Sequence, residues 1–172
     1  MKKIQAHLIK RIISSNSPEA YTLNKKSKFG ERVGEKIQYT LAETLFLVEK
    51  GKMNVYMKEK LIPKKELIKK LQRMDKRLEI KYPVFKDLRK KGYIVKTALK
   101  FGGDFRVYEK GFKSGKNHAK WIVFVDYESK KLTWHEFSAK NRVAHSTNKK
   151  LLLAIVDEEG DATYYEIKWL KP

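Results

Sequence analysis

Apolar positions along this chain are poorly periodic over residues 1–33, recur mainly at helical spacing from Tyr39 to Gly92, and change to an alternating period from Tyr93. In the first half, Leu41, Leu45 and Val48 recur at helical spacing, with Phe46 and Leu47 widening the face. This predicts a helix over Tyr39–Glu49, closed by Gly51. Pro63 opens a second helix, in which Leu67, Leu71, Met74 and Leu78 form one apolar stripe among lysines. Pro83 begins a shorter helix through Val84, Phe85 and Leu88 that stops at Gly92. Around these helices Ile4–Ile13 is strand-like, Ser14–Pro18 is a polar turn followed by basic loop to residue 33, and Met53–Met57 is a short strand. Beyond the change of period, Tyr93–Lys100, Phe105–Glu109 and Trp121–Tyr127 read as strands, with Gly102–Gly103 turning between the first two. Phe137–Asn148 predicts a helix with Val143 facing inward. Leu151–Val156 and Thr163–Leu170 form a strand hairpin around Gly160.

The fold class that follows is α/β. Residues 1–81 make a small α+β amino-terminal domain, and residues 82–172 an α/β domain built on a mixed central sheet. No internal repeat or low-complexity tract interrupts the 172 residues, which suffice for a real core. A hydrophobic content of 41% supports folding even though 35% of residues are charged.

Charge changes the picture more than length does. Lys and Arg number 40 against 20 Asp and Glu, a formal net charge of +20. Residues 1–82 hold 21 basic and 9 acidic side chains, and 83–172 hold 19 and 11, so the excess is a property of the whole body and not of a tail. Such a field suits a polyanion, nucleic acid first, with an anionic membrane surface or plain solvation as the alternatives. Cysteine is absent, which excludes disulfides, thiolate metal sites and cysteine nucleophiles. The longest aliphatic run, Leu151–Val156, is far too short to span a bilayer, and charged and polar residues break up the amino terminus. The expectation is a soluble cytoplasmic protein.

The segment from Phe101 to Lys149 holds the candidate chemistry. Tyr108 ends F-G-G-D-F-R-V-Y, His118 lies in K-S-G-K-N-H-A-K, and R-V-A-H-S-T-N-K ends at Lys149. A phenol can accept a proton, an imidazole can donate one, and an ammonium can offset charge building on phosphorus. Together these are the parts for metal-free cleavage of an RNA backbone. Each residue also has a plainer reading. A lone tyrosine here is more often a packed strand residue, and Lys149 is one of 40 basic residues, with Lys150 beside it. His7, His118, His135 and His145 show no paired ligand spacing, so no metal site or cofactor is expected. His135 and His145 read as packing or surface residues.

From Tyr82 to the end, the sequence resembles the catalytic domain of the archaeal tRNA-splicing (tRNA-intron) endonucleases. The likeness runs through Y-P-V-F-K-D-L-R-K-K-G-Y-I-V-K-T, L-K-F-G-G-D-F-R-V-Y, H-A-K-W, R-V-A-H-S and D-E-E-G-D-A-T-Y-Y-E-I-K-W. The first half resembles the family's amino-terminal domain more loosely, through L-A-E-T-L-F-L-V-E-K-G. Two positions depart from the pattern: Ala98 stands where the family usually has Gly, and Asn148 where it often has Arg.

The resemblance implies a triad of Tyr108 as general base, His118 as general acid and Lys149 as transition-state stabiliser. The lysine is assigned through S-x-x-K from Ser146, with Lys150 as fallback. The implied substrate is precursor tRNA folded as a bulge–helix–bulge, cut to 2′,3′-cyclic phosphate and 5′-hydroxyl ends without a metal. Arg142 would stack its guanidinium on a flipped-out base, although a helix arginine paired with an acid is an equally good reading. Lys168 and Trp169 are weaker candidates for RNA contact, and Trp169 also reads as core. Asp157, Glu158, Glu159 and Asp161 form the dense acidic patch of a basic chain. The resemblance implies that this patch docks into a basic groove of a partner subunit, and the chain's length fits the family's homotetramers. Two other classes compete: a non-catalytic structural subunit or general RNA-binding module of the same fold, and a metal-dependent DNA nuclease. A structural subunit is expected to lack part of the triad. A metal-dependent nuclease needs carboxylates away from the hairpin tip.

Overall fold

The computed structural model describes residues 2–111 and 118–170. They fall into two compact units, Met1–Glu79 and Ile80–Pro172. In the first unit β1 (Ile4–Ile9) and β2 (Ile12–Ser15) form a hairpin, and β3 (Glu31–Val33) and β4 (Lys36–Tyr39) form another. β5 (Met53–Met57) runs parallel to β1, and β6 (Lys60–Leu61) closes a six-stranded sheet of order β3-β4-β2-β1-β5-β6. Three helices accompany it: α1 (Pro18–Ser27), α2 (Leu41–Glu49) and α3 (Lys64–Met74).

The stretch expected as basic loop after Pro18 is α1. Its start is written in the sequence, because Ser17 accepts the Ala20 N–H at 3.4 Å and Pro18 occupies the first turn. Only Ala20 and Leu23 are buried on it, so its apolar period is too short to stand out. α2 begins with a capping box in which Thr40 accepts the Glu43 N–H and Glu43 accepts the Thr40 N–H. Glu43 is buried, and its second oxygen accepts the Gly30 N–H at 2.9 Å, so this carboxylate is satisfied by backbone on both sides.

Next in the chain is α4 (Leu78–Lys90), most of which belongs to the second unit and which differs from the expected pattern. Leu78 belongs to α4 and not to the α3 stripe, and Pro83 lies inside α4 instead of starting it. A helix-interior proline costs about 3 kcal/mol. Burial of Leu78, Ile80, Val84, Phe85 and Leu88 along α4 offsets that, at about 1.5–3 kcal/mol for each large side chain. β7 (Ile94–Thr97), a short 3-10 turn (Leu99–Phe101), β8 (Phe105–Tyr108) and β9 (Trp121–Tyr127) follow. α5 (Trp134–Ser146) then leads into the hairpin of β10 (Lys150–Val156) and β11 (Ala162–Ile167). The sheet order is β11-β10-β9-β8-β7; β9 and β10 are parallel and the other pairs antiparallel, which makes the sheet mixed as expected. On one face Ile122, Leu151 and Leu153 pack with Ala144 of α5. Gly103, in the turn before β8, is required by packing: a Cβ there would lie 2.6 Å from Ile122 Cγ2. Among the described residues no helix is long and apolar enough to cross a membrane.

Candidate active site

Three chain segments end or begin at the same edge of the second sheet. Tyr108 is the last residue of β8, and the Lys120 N–H donates to the Val107 carbonyl at 2.9 Å, carrying the ladder on toward β9. His118 is two residues before Lys120 and is exposed. The Lys150 N–H donates to the Lys120 carbonyl at 2.9 Å, so Lys149 stands at the entry to β10. With neighbouring strands about 4.8 Å apart, Tyr108 and Lys149 are borne on backbones roughly 10 Å apart, and the segment carrying His118 enters between them. Two long side chains can span that gap to meet one phosphodiester. Residues 112–117, ahead of His118, lie outside the described residues.

Strand parity separates the two adjacent lysines. Side chains alternate faces along a strand. Tyr108 shares its face with Arg106, whose partner Ile122 packs toward α5. Lys149 has the parity of Leu151, which packs in the same cluster, and its ammonium sits 5.2 Å from the centre of the Phe101 ring. Lys149 Nζ donates to the Thr147 carbonyl at 2.7 Å, a neutral acceptor. Lys150 points to the opposite face and is bound to Glu166 at 2.9 Å. Glu166 also accepts from Trp121 Nε1 at 2.7 Å, and these two hydrogen bonds hold its carboxyl below its ordinary range. Lys149 therefore shares the Tyr108 face, while Lys150 is committed to an acid on the other.

The backbone that delivers Lys149 is a helix cap. α5 ends in a Schellman arrangement: the Asn148 N–H donates to the His145 carbonyl, and the Lys149 N–H to the Ala144 carbonyl, both at 2.9 Å. This requires a left-handed residue between helix and strand, and Asn148 has φ 54°. Asparagine tolerates that conformation better than most residues, so its presence at a position where arginine was expected has a local cause.

A cleft of about 220 Å³ adjoins this edge, lined by Lys149, Asn141, His145, Lys168 and Trp169, and Lys150 also reaches its wall. Trp169 is 57% exposed and is not core. Its ring meets His145 edge-on at 4.1 Å. His145 is an exposed residue of α5, as expected for a surface histidine, but it supplies a wall of the cleft, which sequence spacing did not reveal. Arg142 is exposed on α5, one turn before His145.

Comparison with known proteins covers both units. Residues 78–164 match the family model for the tRNA intron endonuclease catalytic C-terminal domain, and residues 4–68 match that for the tRNA intron endonuclease N-terminal domain. The chain belongs to the tRNA intron endonuclease family. It is 40% identical to a tRNA-splicing endonuclease of Pyrococcus abyssi over 94% of this chain and 92% of that protein. It is 42% identical to one of Nanoarchaeum equitans over 84% of this chain and 97% of that protein. For one of Methanothermobacter thermautotrophicus the identity is 39%, over 89% of each.

In this tRNA intron endonuclease the acidic patch occupies the β10–β11 turn. Asp157 is spent on the turn itself, accepting the Asp161 N–H at 2.8 Å, while Glu158, Glu159 and Asp161 are exposed. Glu159 and Asp161 line a cleft of about 500 Å³ together with Lys86 and Lys90 of α4, so part of the tip's charge faces lysines of its own unit. A second polar network, also unforeseen from spacing, ties β11 to α4. The Tyr164 hydroxyl donates to Asp87 at 2.8 Å, and Lys91 bonds the same oxygen at 2.8 Å. Burial first, and then this bond to Asp87, push the Tyr164 phenol well above its ordinary range. Among the described residues no group of three or more His, Asp or Glu side chains converges as a metal site would require.

Proposed function

We propose that this chain is a tRNA-splicing endoribonuclease that cuts precursor tRNA at bulge–helix–bulge exon–intron junctions. The observation that carries this reading is Tyr108 and Lys149 on one face at one end of the sheet, with the His118 segment entering between them. The relatives named tRNA-splicing endonuclease, similar over nearly the whole chain, support it.

In the proposed reaction Tyr108, acting as its phenolate, takes the proton of a ribose 2′-hydroxyl and becomes the phenol as the ribose oxygen attacks the adjacent phosphorus. The bond from phosphorus to the 5′ oxygen breaks, and His118 delivers a proton to that leaving oxygen. Lys149 offsets the charge that accumulates on the phosphoryl oxygens. The products are a 2′,3′-cyclic phosphate and a 5′-hydroxyl. The nucleophile belongs to the substrate, so the scheme activates no water and calls on no metal or cofactor. Arg142, Lys168 and Trp169 would hold the RNA beside this centre, the guanidinium and the indole through their flat faces.

The catalytic domain is residues 82–172, and residues 1–81 form the amino-terminal domain. The assembly is a homotetramer in the cytoplasm, with Glu158, Glu159 and Asp161 of the hairpin tip presented to a basic groove of another subunit and Asp157 shaping the turn. The exposure of three of these acids in a chain of charge +20 supports that role.

The deciding experiment is cleavage of an intron-containing precursor tRNA in excess EDTA by wild type and His118→Ala, with analysis of the ends. Cuts at both junctions with cyclic-phosphate ends, lost in the variant, are expected. RNA that is bound but left whole until a partner chain is added would instead identify a non-catalytic subunit.

A further inference from the structure

The amino-terminal sheet buries one face, while the other is largely exposed apart from Ser14, which is buried. Ile4, Ala6, Leu8, Met53 and Val55 are buried on the face that meets α1 and α2. On the opposite face, strand register aligns a single row across all six strands: Leu61, Tyr56, His7, Ser14, Gln38 and Glu31. At a strand spacing of about 4.8 Å this row is roughly 24 Å wide. At its centre the rings of His7 and Tyr56 lie 5.8 Å apart, inclined by 31°, with Tyr56 half-buried and His7 exposed. The next row holds the paired amides Gln5 and Asn54. Lys3, Lys52 and Lys36 keep the outward parity of β1, β5 and β4, and all three are exposed.

The composition of this face selects its occupant. A second copy of the chain would set Lys3, Lys36 and Lys52 against their own images. An apolar partner would find its contacts split, since Ile9 and Ile12 form one exposed pair at the β1–β2 turn and Leu61 lies at the far edge. Flat rings flanked by amides and ammonium groups match unpaired nucleotides, whose bases stack on aromatics, whose edges bond amides and whose phosphates meet lysines. Glu31, at the β3 edge, ends the basic track on that side.

We propose that this open face binds unpaired nucleotides of the RNA substrate, giving the amino-terminal unit its own part in recognition. The proposal rests on the endonuclease reading above. Tyr56 and His7 are the stacking platform, Lys3, Lys36 and Lys52 hold the phosphates, and the role is binding without chemistry.

The test uses the full chain and an oligouridylate carrying 5-iodouridine, photo-cross-linked and mapped by mass spectrometry. Its dissociation constant is measured at elevated salt for wild type, Tyr56→Ala, Tyr56→Phe and Lys52→Glu. Thermal unfolding of each variant checks the fold. Adducts on Tyr56 or His7 are expected, with binding weakened roughly tenfold in Tyr56→Ala and nearly unchanged in Tyr56→Phe. Lys52→Glu, an exposed change that should leave the fold intact, is expected to weaken binding and flatten its salt dependence. Adducts confined to residues 80–170, with wild-type affinity in Tyr56→Ala and Lys52→Glu, would overturn the proposal. So would a solution mass that falls by half in Tyr56→Ala, because the face would then be a self-interface. Cutting of precursor tRNA by the same wild-type sample separates the two readings. A protein that cuts but shows no adduct on β1 or β5 refutes this inference alone, and one that never cuts refutes the endonuclease.

Discussion

Replacing Lys149 and Lys150 one at a time tests the active-site reading most sharply, because the two residues are chemically identical neighbours assigned opposite fates. A unit charge about 4 Å from charge developing on phosphorus is worth about 4 kcal/mol at an effective dielectric of about 20. Lys149 is half-buried, so solvent screening reduces this to about 2–3 kcal/mol. At about 1.36 kcal/mol per tenfold, Lys149→Ala should slow cleavage by roughly 30- to 150-fold. Lys150 is bound to Glu166 on the opposite face, where an exposed pair contributes about 0.2–1 kcal/mol to stability. Lys150→Ala should therefore cut within about fivefold of the wild-type rate. The assay is single-turnover cleavage of precursor tRNA at saturating enzyme, which isolates the chemical step from RNA binding. If Lys150→Ala loses as much rate as Lys149→Ala, or more, the strand-parity argument fails.

Three further outcomes follow from the second unit. Asn148→Val should lower stability by about 1–2 kcal/mol in thermal denaturation, because a β-branched residue is forced to φ 54°, whereas Asn148→Gly should not. Gly103→Ala drives a Cβ to 2.6 Å from Ile122 Cγ2 and should cost about 1–3 kcal/mol by overpacking, read as a shift in the urea midpoint. Tyr164 carries a phenol pKa raised by burial and by its bond to Asp87, against about 10 in the unfolded chain. Its contribution is thus complete below about pH 10 and is lost as pH climbs toward the folded-state value. Tyr164→Phe should flatten the fall in stability above pH 10. It should not abolish it, because burial and Glu43 raise the Tyr39 phenol in the first unit in the same direction. An unchanged alkaline slope in Tyr164→Phe would refute the assignment.

Elements with a long period or clear punctuation were legible in the chain. Met53–Met57 and Trp121–Tyr127 coincide with β5 and β9, and the acidic turn at Gly160 joins β10 to β11. α1 is hidden in the sequence because two buried residues make no period, although Ser17 and Pro18 announce its start. At Pro83 local chemistry argues for a helix start, and only the burial gained along α4 outweighs it.

For the candidate site, sequence by itself determined which groups are available: a phenol, an imidazole and an ammonium in a strongly basic chain without thiols. It could not separate Lys149 from Lys150, since adjacent identical residues share composition and charge. Tertiary structure distinguishes them, because strand parity gives Lys149 the face of Tyr108 and Leu151 and pairs Lys150 with Glu166. It also decided that Trp169 is exposed beside His145, a pairing between residues far apart in the chain. The open row of Tyr56 and His7 likewise exists only through the pairing of β1 with β5, which brings together residues that no local pattern connects.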